Sequence, residues 1–205
     1  MKRQILVATM NAGKMRELAA LLDFGREVEF RGLGDFEQIE EVVEDGRTFA
    51  ENARKKAVGY SKQTQAWTIA DDSGLVVDAL GGRPGVMSAR FSGAKCANTG
   101  LLDHRNMTKV LSLMEGVPPH QRRARFKCCL CLANGEEILA ETEGTLEGRI
   151  AEEELGANGF GYDPIFYVPG LSKTVAELSA EEKNEISHRG QAIRRLRPLL
   201  AALVG

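Results

Sequence analysis

Residues 4–22 read QILVATMNAGKMRELAALL and contain two hydrophobic patterns in succession. Residues 4–8 form a short continuous apolar run, which is typical of a buried β-strand. Leu18, Leu21 and Leu22 then recur at helical spacing, so we predict a helix over about 13–24, with Gly25 where a helix stop belongs. Residues 9–14 therefore lie where a buried strand passes into a helix.

The rest of the chain alternates between strand and helix patterns. Strands are predicted at 27–30, 67–70, 75–77 and 165–168, and helices at about 48–62 and 101–114. Two longer strand patterns, 123–132 and 136–145, are joined by Asn134-Gly135, a hairpin signal. A final helix follows Ser187-His188 and has four predicted inward residues, namely Ile193, Leu196, Leu200 and Leu203. This pattern indicates one mixed α/β domain over 1–205 without a separate linker.

The overall composition excludes several classes of protein. Lys and Arg number 27 against 29 Asp and Glu, and this net charge of −2 argues against a nucleic-acid binder. No apolar run approaches the ~20 residues of a membrane helix, and the first run is too short for a signal peptide. Three of the four cysteines, Cys128, Cys129 and Cys131, share one strand pattern with no suitably spaced His, which favours core thiols over zinc ligands. We therefore expect a reducing, cytoplasmic location.

The loop at 9–14 is a candidate phosphate site. The first turn of a helix presents unpaired backbone N–H groups and the positive end of its dipole, which favour an anion. Lys14 adds a cation there, although the loop lacks the glycine and Ser/Thr of a Walker A motif. The alternative is that Asn11 caps the helix while Lys14 is solvated. A lysine in the first turn opposes the dipole, and this favours the bound anion.

Two acidic segments are candidates for metal binding and catalysis. Asp71-Asp72-Ser73-Gly74 follows the apolar residues 68–70, where the end of a strand collects ligands in α/β sheets. Paired carboxylates suit Mg²⁺, and one of them can take a proton from an attacking water. The alternative is a polar turn. Glu44-Asp45-Gly46 is either a solvated acidic loop or a source of a further metal ligand.

Two later segments are candidates for binding a nucleobase. Residues 159–164, GFGYDP, place two aromatic residues among glycines, and stacking on a base contributes on the order of 1–3 kcal/mol. The alternative is a tight turn whose aromatic side chains point inward. Lys183, His188 and Arg189 include donor-only side chains that recognise carbonyl or phosphate oxygens, unless they lie on the surface.

Together these segments resemble one family, the inosine/xanthosine triphosphate pyrophosphatases, along essentially the whole chain. The matching stretches are TMNAGK at 9–14, EDGRTFAENA at 44–53, ADDSGL at 70–75, GGRPGVMSARFSG at 81–93, GFGYDPIF at 159–166, EKN at 182–184 and SHRG at 187–190. Met10 departs from the pattern, since a smaller residue is common there. The family removes non-canonical purine nucleoside triphosphates, a house-cleaning role.

The resemblance implies an elongated two-lobed α/β fold, a mixed sheet flanked by helices with a central cleft, and a homodimer. It also implies Mg²⁺-dependent hydrolysis of ITP, dITP or XTP to the monophosphate and pyrophosphate. Asp72 would be the catalytic carboxylate and a metal ligand, with Glu44 the second ligand and Ser73 beside the substrate. The role of Asp71 is left open.

The resemblance assigns the remaining site residues to the two ends of the nucleotide. The loop that grips the triphosphate would consist of Thr9, Met10, Asn11, Ala12, Gly13 and Lys14. Phe160 would stack on the purine, and Gly161, Tyr162 and Asp163 would complete that wall. Lys183, His188 and Arg189 would surround the base and favour a 6-keto purine, because a donor-only set would face adenine's amino group unfavourably. Nothing in the sequence identifies what rejects guanine.

Two rival functions are open at this point. One is a related pyrophosphatase for modified pyrimidine or methylated nucleotides, which the Ser187-His188-Arg189 segment disfavours. The other is a catalytically silent nucleotide sensor, which the Asp71-Asp72 pair disfavours.

Overall fold

A computed structural model describes residues 2–22, 28–36 and 38–205 of the chain. Within these residues the strands are β1 (Arg3–Ala8), β2 (Val28–Gly32), β3 (Trp67–Val77), β4 (Arg123–Asn134), β5 (Glu137–Ile150), β6 (Phe166–Val168) and β7 (Lys173–Thr174). The α-helices are α1 (Ala12–Leu21), α2 (Phe49–Thr64), α3 (Thr99–Leu113), α4 (Ala180–Ile186) and α5 (His188–Val204).

The strands form a single mixed sheet in the order β2-β1-β3-β4-β5-β6-β7. β1 pairs in parallel with both β2 and β3, whereas β6 pairs antiparallel with both β5 and β7. The β1–β3 register ends at Ala8 opposite Ala70. The predicted class, a mixed sheet flanked by helices, is confirmed.

The chain divides into two compact units. The first unit comprises residues up to 72, 128–144 and 188–205. Successive residues of β1 alternate between its two helical layers, as the period of a strand requires. Ile5 and Val7 pack in a cluster with residues of α1 and α5, whereas Leu6 and Ala8 pack in a cluster with residues of α2.

The second unit comprises residues 73–127 and 145–187. Its core contains one face of α3, including Met107, Val110 and Met114, which are buried. Phe126 of β4 and Phe166 of β6 stack in the same cluster with their ring centroids 4.2 Å apart. This core supports the loops that carry residues 85–91 and 159–163.

Side chains cap α2 and α4, and the hairpin turn predicted at Asn134-Gly135 is confirmed. Thr48 caps α2, where its Oγ1 accepts from Glu51 N at 3.1 Å, and Ser179 and Glu182 form the capping box of α4. Gly135 has a φ of +60° in the turn between β4 and β5. The helix predicted over about 13–24 ends earlier, at Leu21, with Leu22 as its C-cap. Gly25 and the beginning of the strand expected at 27–30 lie outside the described residues.

Two expectations about chain geometry are wrong. Residues 71–74 were expected to separate two short strands, but β3 runs without a break from Trp67 to Val77. Because β3 lies between β1 and β4, neighbouring strands are available to satisfy its backbone groups. Leu203 was expected on the inner side of the last helix, yet it is 38% exposed, while Leu196 and Leu200 are fully buried.

The four cysteines have different surroundings. Cys128 and Cys131 are buried, but they belong to the clusters on opposite faces of the sheet, and Cys129 and Cys96 are partly exposed. Among the described residues, no three His, Cys, Asp or Glu side chains are grouped so as to hold a metal ion. None of the described helices is long and apolar enough to cross a membrane.

Candidate active site

The loop at 9–14 joins β1 to α1, and the side chain of Asn11 determines its shape. Asn11 Oδ1 accepts from Lys14 N at 3.0 Å and thereby caps α1, while Asn11 N donates to Thr9 Oγ1 at 3.2 Å. The interpretation of Asn11 as a helix cap is therefore confirmed. Met10 is 85% exposed at the tip of this loop, and Gly13 is buried behind it.

The alternative reading of the loop also expected a solvated Lys14, and this part of it is wrong. Its Nζ lies 2.9 Å from Asp71 Oδ2, and its side chain is 17% exposed. The same carboxylate oxygen lies 3.3 Å from Arg189 Nη2, and Arg189 Nη1 is paired with Glu17 on α1. Asp71 thus holds together a cation from the loop and a cation from the first turn of α5.

This arrangement keeps Asp71 ionised. Burial by itself would raise the pKa of Asp71, but the positive charges of Lys14, Arg189 and Lys56 outweigh burial and hold that pKa below its ordinary value. A carboxylate with a lowered pKa is a poor proton acceptor. Asp71 is therefore suited to positioning cations and not to abstracting a proton.

Asp72 has a different environment, although it is the next residue in β3. It lies on the α2 side, where its Oδ2 accepts from Asn52 Nδ2 at 2.9 Å. Burial raises the pKa of Asp72 above its ordinary value, against the lowering effects of Lys56 and Asn52, and Glu44 raises the pKa further. A raised pKa and an amide that fixes one carboxylate oxygen are properties of a general base.

Lys56 on α2 is the cation among the carboxylates on this side. Its Nζ lies 3.0 Å from Glu44 Oε2, and its side chain is 10% exposed. Burial lowers the pKa of Lys56, but the negative charges of Asp71, Glu44 and Asp72 more than compensate and raise it. The lysine therefore keeps its charge in a buried position.

The donor set around Lys56 fits a hard divalent cation. Glu44 and Asp72 supply only oxygen ligands, and Mg²⁺ is commonly held by one or two carboxylates together with substrate phosphates. The Glu44 side chain is 33% exposed, so neighbouring residues cover it only in part. These two residues are the metal ligands that the family resemblance implies.

In the second unit, three side chains of the predicted base-binding segment are brought together. Asp163 Oδ2 accepts from Phe160 N at 2.8 Å and from Lys183 Nζ at 2.6 Å. Lys183 Nζ also lies 4.4 Å from the centroid of the Phe160 ring, at cation–π distance. Gly159 makes this turn feasible, because a Cβ there would stand 2.1 Å from Asp163 Oδ2.

Other predicted residues of the second unit lie in its interior. Tyr162 is buried in the core, and its hydroxyl donates to Ser88 O at 2.7 Å, so the inward-facing alternative describes this residue. Ser73 is half-buried in β3. Gly74 beside it allows the backbone to approach the loop at 85–88, since a Cβ at this position would lie 2.3 Å from Ser88 Oγ.

His188 and Arg189, which were expected around the base, belong to the first unit, while Lys183 belongs to the second. His188 begins α5 and is buried. The Arg189 guanidinium contacts Glu17 and Asp71, and Asp71 in turn contacts Lys14 of the loop at 9–14. The predicted roles of His188 and Arg189 in base recognition stay predictions.

Three residues of this network were not singled out from the sequence: Glu17, Asn52 and Lys56. A signal for two of them exists, because Asn52 and Lys56 are four residues apart on α2, beside the apolar stripe of Phe49, Ala53, Ala57 and Tyr60. Polar residues that share a buried helix face need partners. Glu17 has no such signal, since its partner Arg189 lies 172 residues away.

Comparison with known proteins gives one consistent result. The model of the Ham1 family matches residues 5–199. A curated relative from Geobacillus kaustophilus, named dITP/XTP pyrophosphatase, is 50% identical over 99% of this chain and 97% of its own. A relative of the same name from Bacillus cereus is 50% identical over 95% of this chain and 93% of its own. The solved structure of a HAM1 protein from Coxiella burnetii superimposes with a TM-score of 0.87 at 40% identity, covering 98% of this chain and 99% of the other.

Proposed function

This chain belongs to the Ham1 family, and we propose that it is a nucleoside triphosphate pyrophosphatase that hydrolyses dITP and XTP to the nucleoside monophosphate and pyrophosphate. Relatives at 50% identity carry the name of this activity. The observation that carries the proposal is the adjacent pair in β3: Asp71 is neutralised by Lys14 and Arg189, whereas Asp72 has a raised pKa. We include ITP as a substrate, because it shares the hypoxanthine base of dITP.

The phosphate end of the substrate would bind in the first unit. The N-terminus of α1 offers backbone N–H groups, and Lys14 supplies a positive charge beside them. Lys56 supplies a second cation from α2. Because Asp71 already holds Lys14, the lysine is ordered before the substrate arrives, which reduces the entropy lost on binding.

The attack on the α-phosphorus needs a water molecule and a base. Asp72 is the candidate base, since its pKa is shifted toward neutral pH and Asn52 orients the carboxylate. Asp72 would accept the proton of the attacking water at its carboxylate. Lys56 would remain protonated and offset the negative charge that gathers on the phosphates.

We propose Mg²⁺ as the cofactor, with Glu44 and Asp72 as its protein ligands. When bound, Mg²⁺ would neutralise charge on the phosphates and on the leaving pyrophosphate. The oxygen-only donor set supports this choice of metal. Lys56, which lies 3.0 Å from Glu44 Oε2, would orient that ligand.

The base end of the substrate would bind in the second unit. Lys183 covers part of the Phe160 ring, and the remaining ring surface would be available to stack on a purine. The Lys183 ammonium group is a donor without acceptor capacity, so it favours a 6-keto purine over adenine. His188 and Arg189 are proposed to complete this preference.

The setting proposed for the enzyme is the cytoplasm, where it would act as a homodimer and remove deaminated purine nucleotides. The four cysteines are free thiols, which is compatible with a reducing compartment. The near-neutral charge of the chain supports a small nucleotide as its ligand instead of a nucleic acid.

A panel of nucleoside triphosphates tests this function. ITP, dITP, XTP, GTP, ATP and modified pyrimidine triphosphates would each be incubated with Mg²⁺, with pyrophosphate and orthophosphate measured separately. We expect pyrophosphate from ITP, dITP and XTP. Orthophosphate as the product, equal turnover of ATP, or preferred turnover of a modified pyrimidine would contradict the proposal, and binding without any turnover would indicate a sensor.

A further inference from the structure

The α3 helix carries two polar residues, one turn apart, that each bind a loop of the second unit. Asp103 Oδ2 accepts from Gly161 N at 2.9 Å. Asn106 is buried, its Oδ1 accepts from Ser92 N at 2.7 Å, and its Nδ2 donates to Ala89 O at 3.2 Å. Residues at i and i+3 lie on the same face of a helix, so one face of α3 fixes both loops.

The bond from Asp103 reaches the residue that follows Phe160. Phe160 N donates to Asp163 Oδ2, and the next amide, Gly161 N, donates to Asp103 Oδ2. Two consecutive N–H groups are therefore held by two different carboxylates. Because the Phe160 side chain leaves the backbone between these amides, the two bonds together restrict the direction in which its ring points.

The two carboxylates have different tasks in this turn. Asp163 also binds Lys183, so it links the turn to α4 and to the cation on the Phe160 ring. Asp103 links the turn to the core helix α3, whose Met107 and Val110 are buried. Gly161 has a φ of +62°, a backbone conformation that glycine adopts without steric cost because it has no Cβ.

We propose that Asp103 is a positioning residue for base recognition, because its bond to Gly161 N holds the Phe160 ring in the orientation that stacks on the purine. The inference rests on the function proposed above. Asp103 belongs to the second unit, whereas the residues proposed to act on the phosphates belong to the first. Its loss should therefore weaken the binding of the base without slowing cleavage of the bound substrate.

The test compares Asp103→Ala with Asp103→Asn, whose amide oxygen still accepts from Gly161 N. For Asp103→Ala we expect KM for dITP to rise about tenfold, the size of one hydrogen bond to a charged group, with kcat within about twofold of the wild type. Asp103→Asn should restore most of the KM. The inhibition constant of inorganic tripolyphosphate, which has no base, should stay unchanged in both variants.

Thr108→Ala is the matched control on the same helix. Thr108 is exposed and its hydroxyl donates to His104 O of the same helix at 2.9 Å, so its removal should leave KM unchanged. A readout that does not depend on activity is the hydrogen exchange of the Gly161 amide in the substrate-free protein. It should be faster in Asp103→Ala than in the wild type. If Asp103→Ala is insoluble, Asp103→Ser replaces it, since a serine hydroxyl is too short to reach the amide.

The outcomes separate this inference from the function on which it rests. If the wild-type protein hydrolyses dITP and Asp103→Ala has the same KM as the wild type, this inference alone is overturned. Unchanged exchange at Gly161, a parallel loss of tripolyphosphate binding, or an Asp103→Asn variant as defective as Asp103→Ala would also overturn it. A wild-type protein that hydrolyses neither dITP nor XTP would overturn both.

Discussion

Asp71 and Asp72 are neighbours in β3, yet they lie on opposite faces of the sheet and have pKa values shifted in opposite directions. Asp71 lies on the face of β3 that packs against α1 and α5, where Lys14 and Arg189 hold it ionised. Asp72 lies on the opposite face, which packs against α2, and burial there raises its pKa. The alternation of a β-strand thus separates a positioning carboxylate from a candidate base within two residues.

The first prediction is that Asp72→Asn abolishes turnover and leaves the fold intact. An amide cannot accept the proton of water, and loss of a general base typically costs about 10²–10⁴-fold in rate. The measurement is pyrophosphate release from dITP, with thermal unfolding as the check on folding. Asp78→Asn removes an exposed carboxylate that pairs with Arg125, and it should keep full activity. Near-normal rates in Asp72→Asn would remove Asp72 from the mechanism.

A second prediction concerns pH and Lys56. The positive charge of Lys56 lowers the pKa of Asp72 against the effect of burial, so Lys56→Gln should raise that pKa further. The acidic limb of kcat/KM, along which activity rises as Asp72 loses its proton, should therefore move to higher pH. Lys62→Gln, an exposed lysine on the same helix that pairs with Glu136, should leave the profile in place. A limb that moves to lower pH, or does not move, would contradict the assignment.

Lys14→Ala provides the third prediction, which concerns phosphate binding. Removal of the ammonium group should raise both KM for dITP and the inhibition constant of tripolyphosphate, each by roughly tenfold or more. This parallel change differs from the pattern expected for Asp103→Ala, in which KM rises but the inhibition constant of tripolyphosphate is unchanged. Lys55→Ala, an exposed lysine paired with Asp45, is the control. Unchanged KM and kcat in Lys14→Ala would exclude a phosphate-binding role.

The fourth prediction is that Asp71→Asn destabilises the protein in a pH-dependent way. Breaking a buried charge network by removing one partner costs about 3–5 kcal/mol, because Lys14 and Arg189 lose their carboxylate. The pKa of Asp71 is lowered in the folded state, so its contribution is complete above the unfolded value of 3.8 and is lost as the pH falls below it. Urea unfolding at pH 7 and at successively lower pH should show the two proteins converging in acid. A difference that grows on acidification would contradict this account.

Metal removal tests the fifth prediction. Chelation should abolish hydrolysis, and Glu44→Gln should raise the Mg²⁺ concentration needed for half-maximal activity, because one of two carboxylate ligands is lost. Glu41→Gln changes an exposed acid in the same segment and should leave the Mg²⁺ requirement unchanged. Hydrolysis that persists in a chelator would exclude the metal.

Local features of this protein were predictable because neighbouring residues decide them. The strand and helix of residues 4–22 follow from hydrophobic spacing, and the Asn11 cap needs only Lys14, three residues away. The same holds for the capping box at Ser179 and the turn at Gly135. The break expected within 71–74 is absent, because β3 has neighbouring strands on both sides. No local pattern in the sequence reveals those neighbours.

By itself, the sequence determined the order of elements, the mixed α/β class and the candidate acidic, basic and aromatic residues. Only the tertiary structure decided which polar groups meet. Asp71 pairs with Lys14 and Arg189, Asp72 accepts from Asn52, and Asp103 accepts from Gly161 N. The partners in each pair are 20 to 118 residues apart along the chain and belong to different elements. The physical reason is that a pKa or an ion pair depends on distance and burial in space, which local spacing along the chain does not encode.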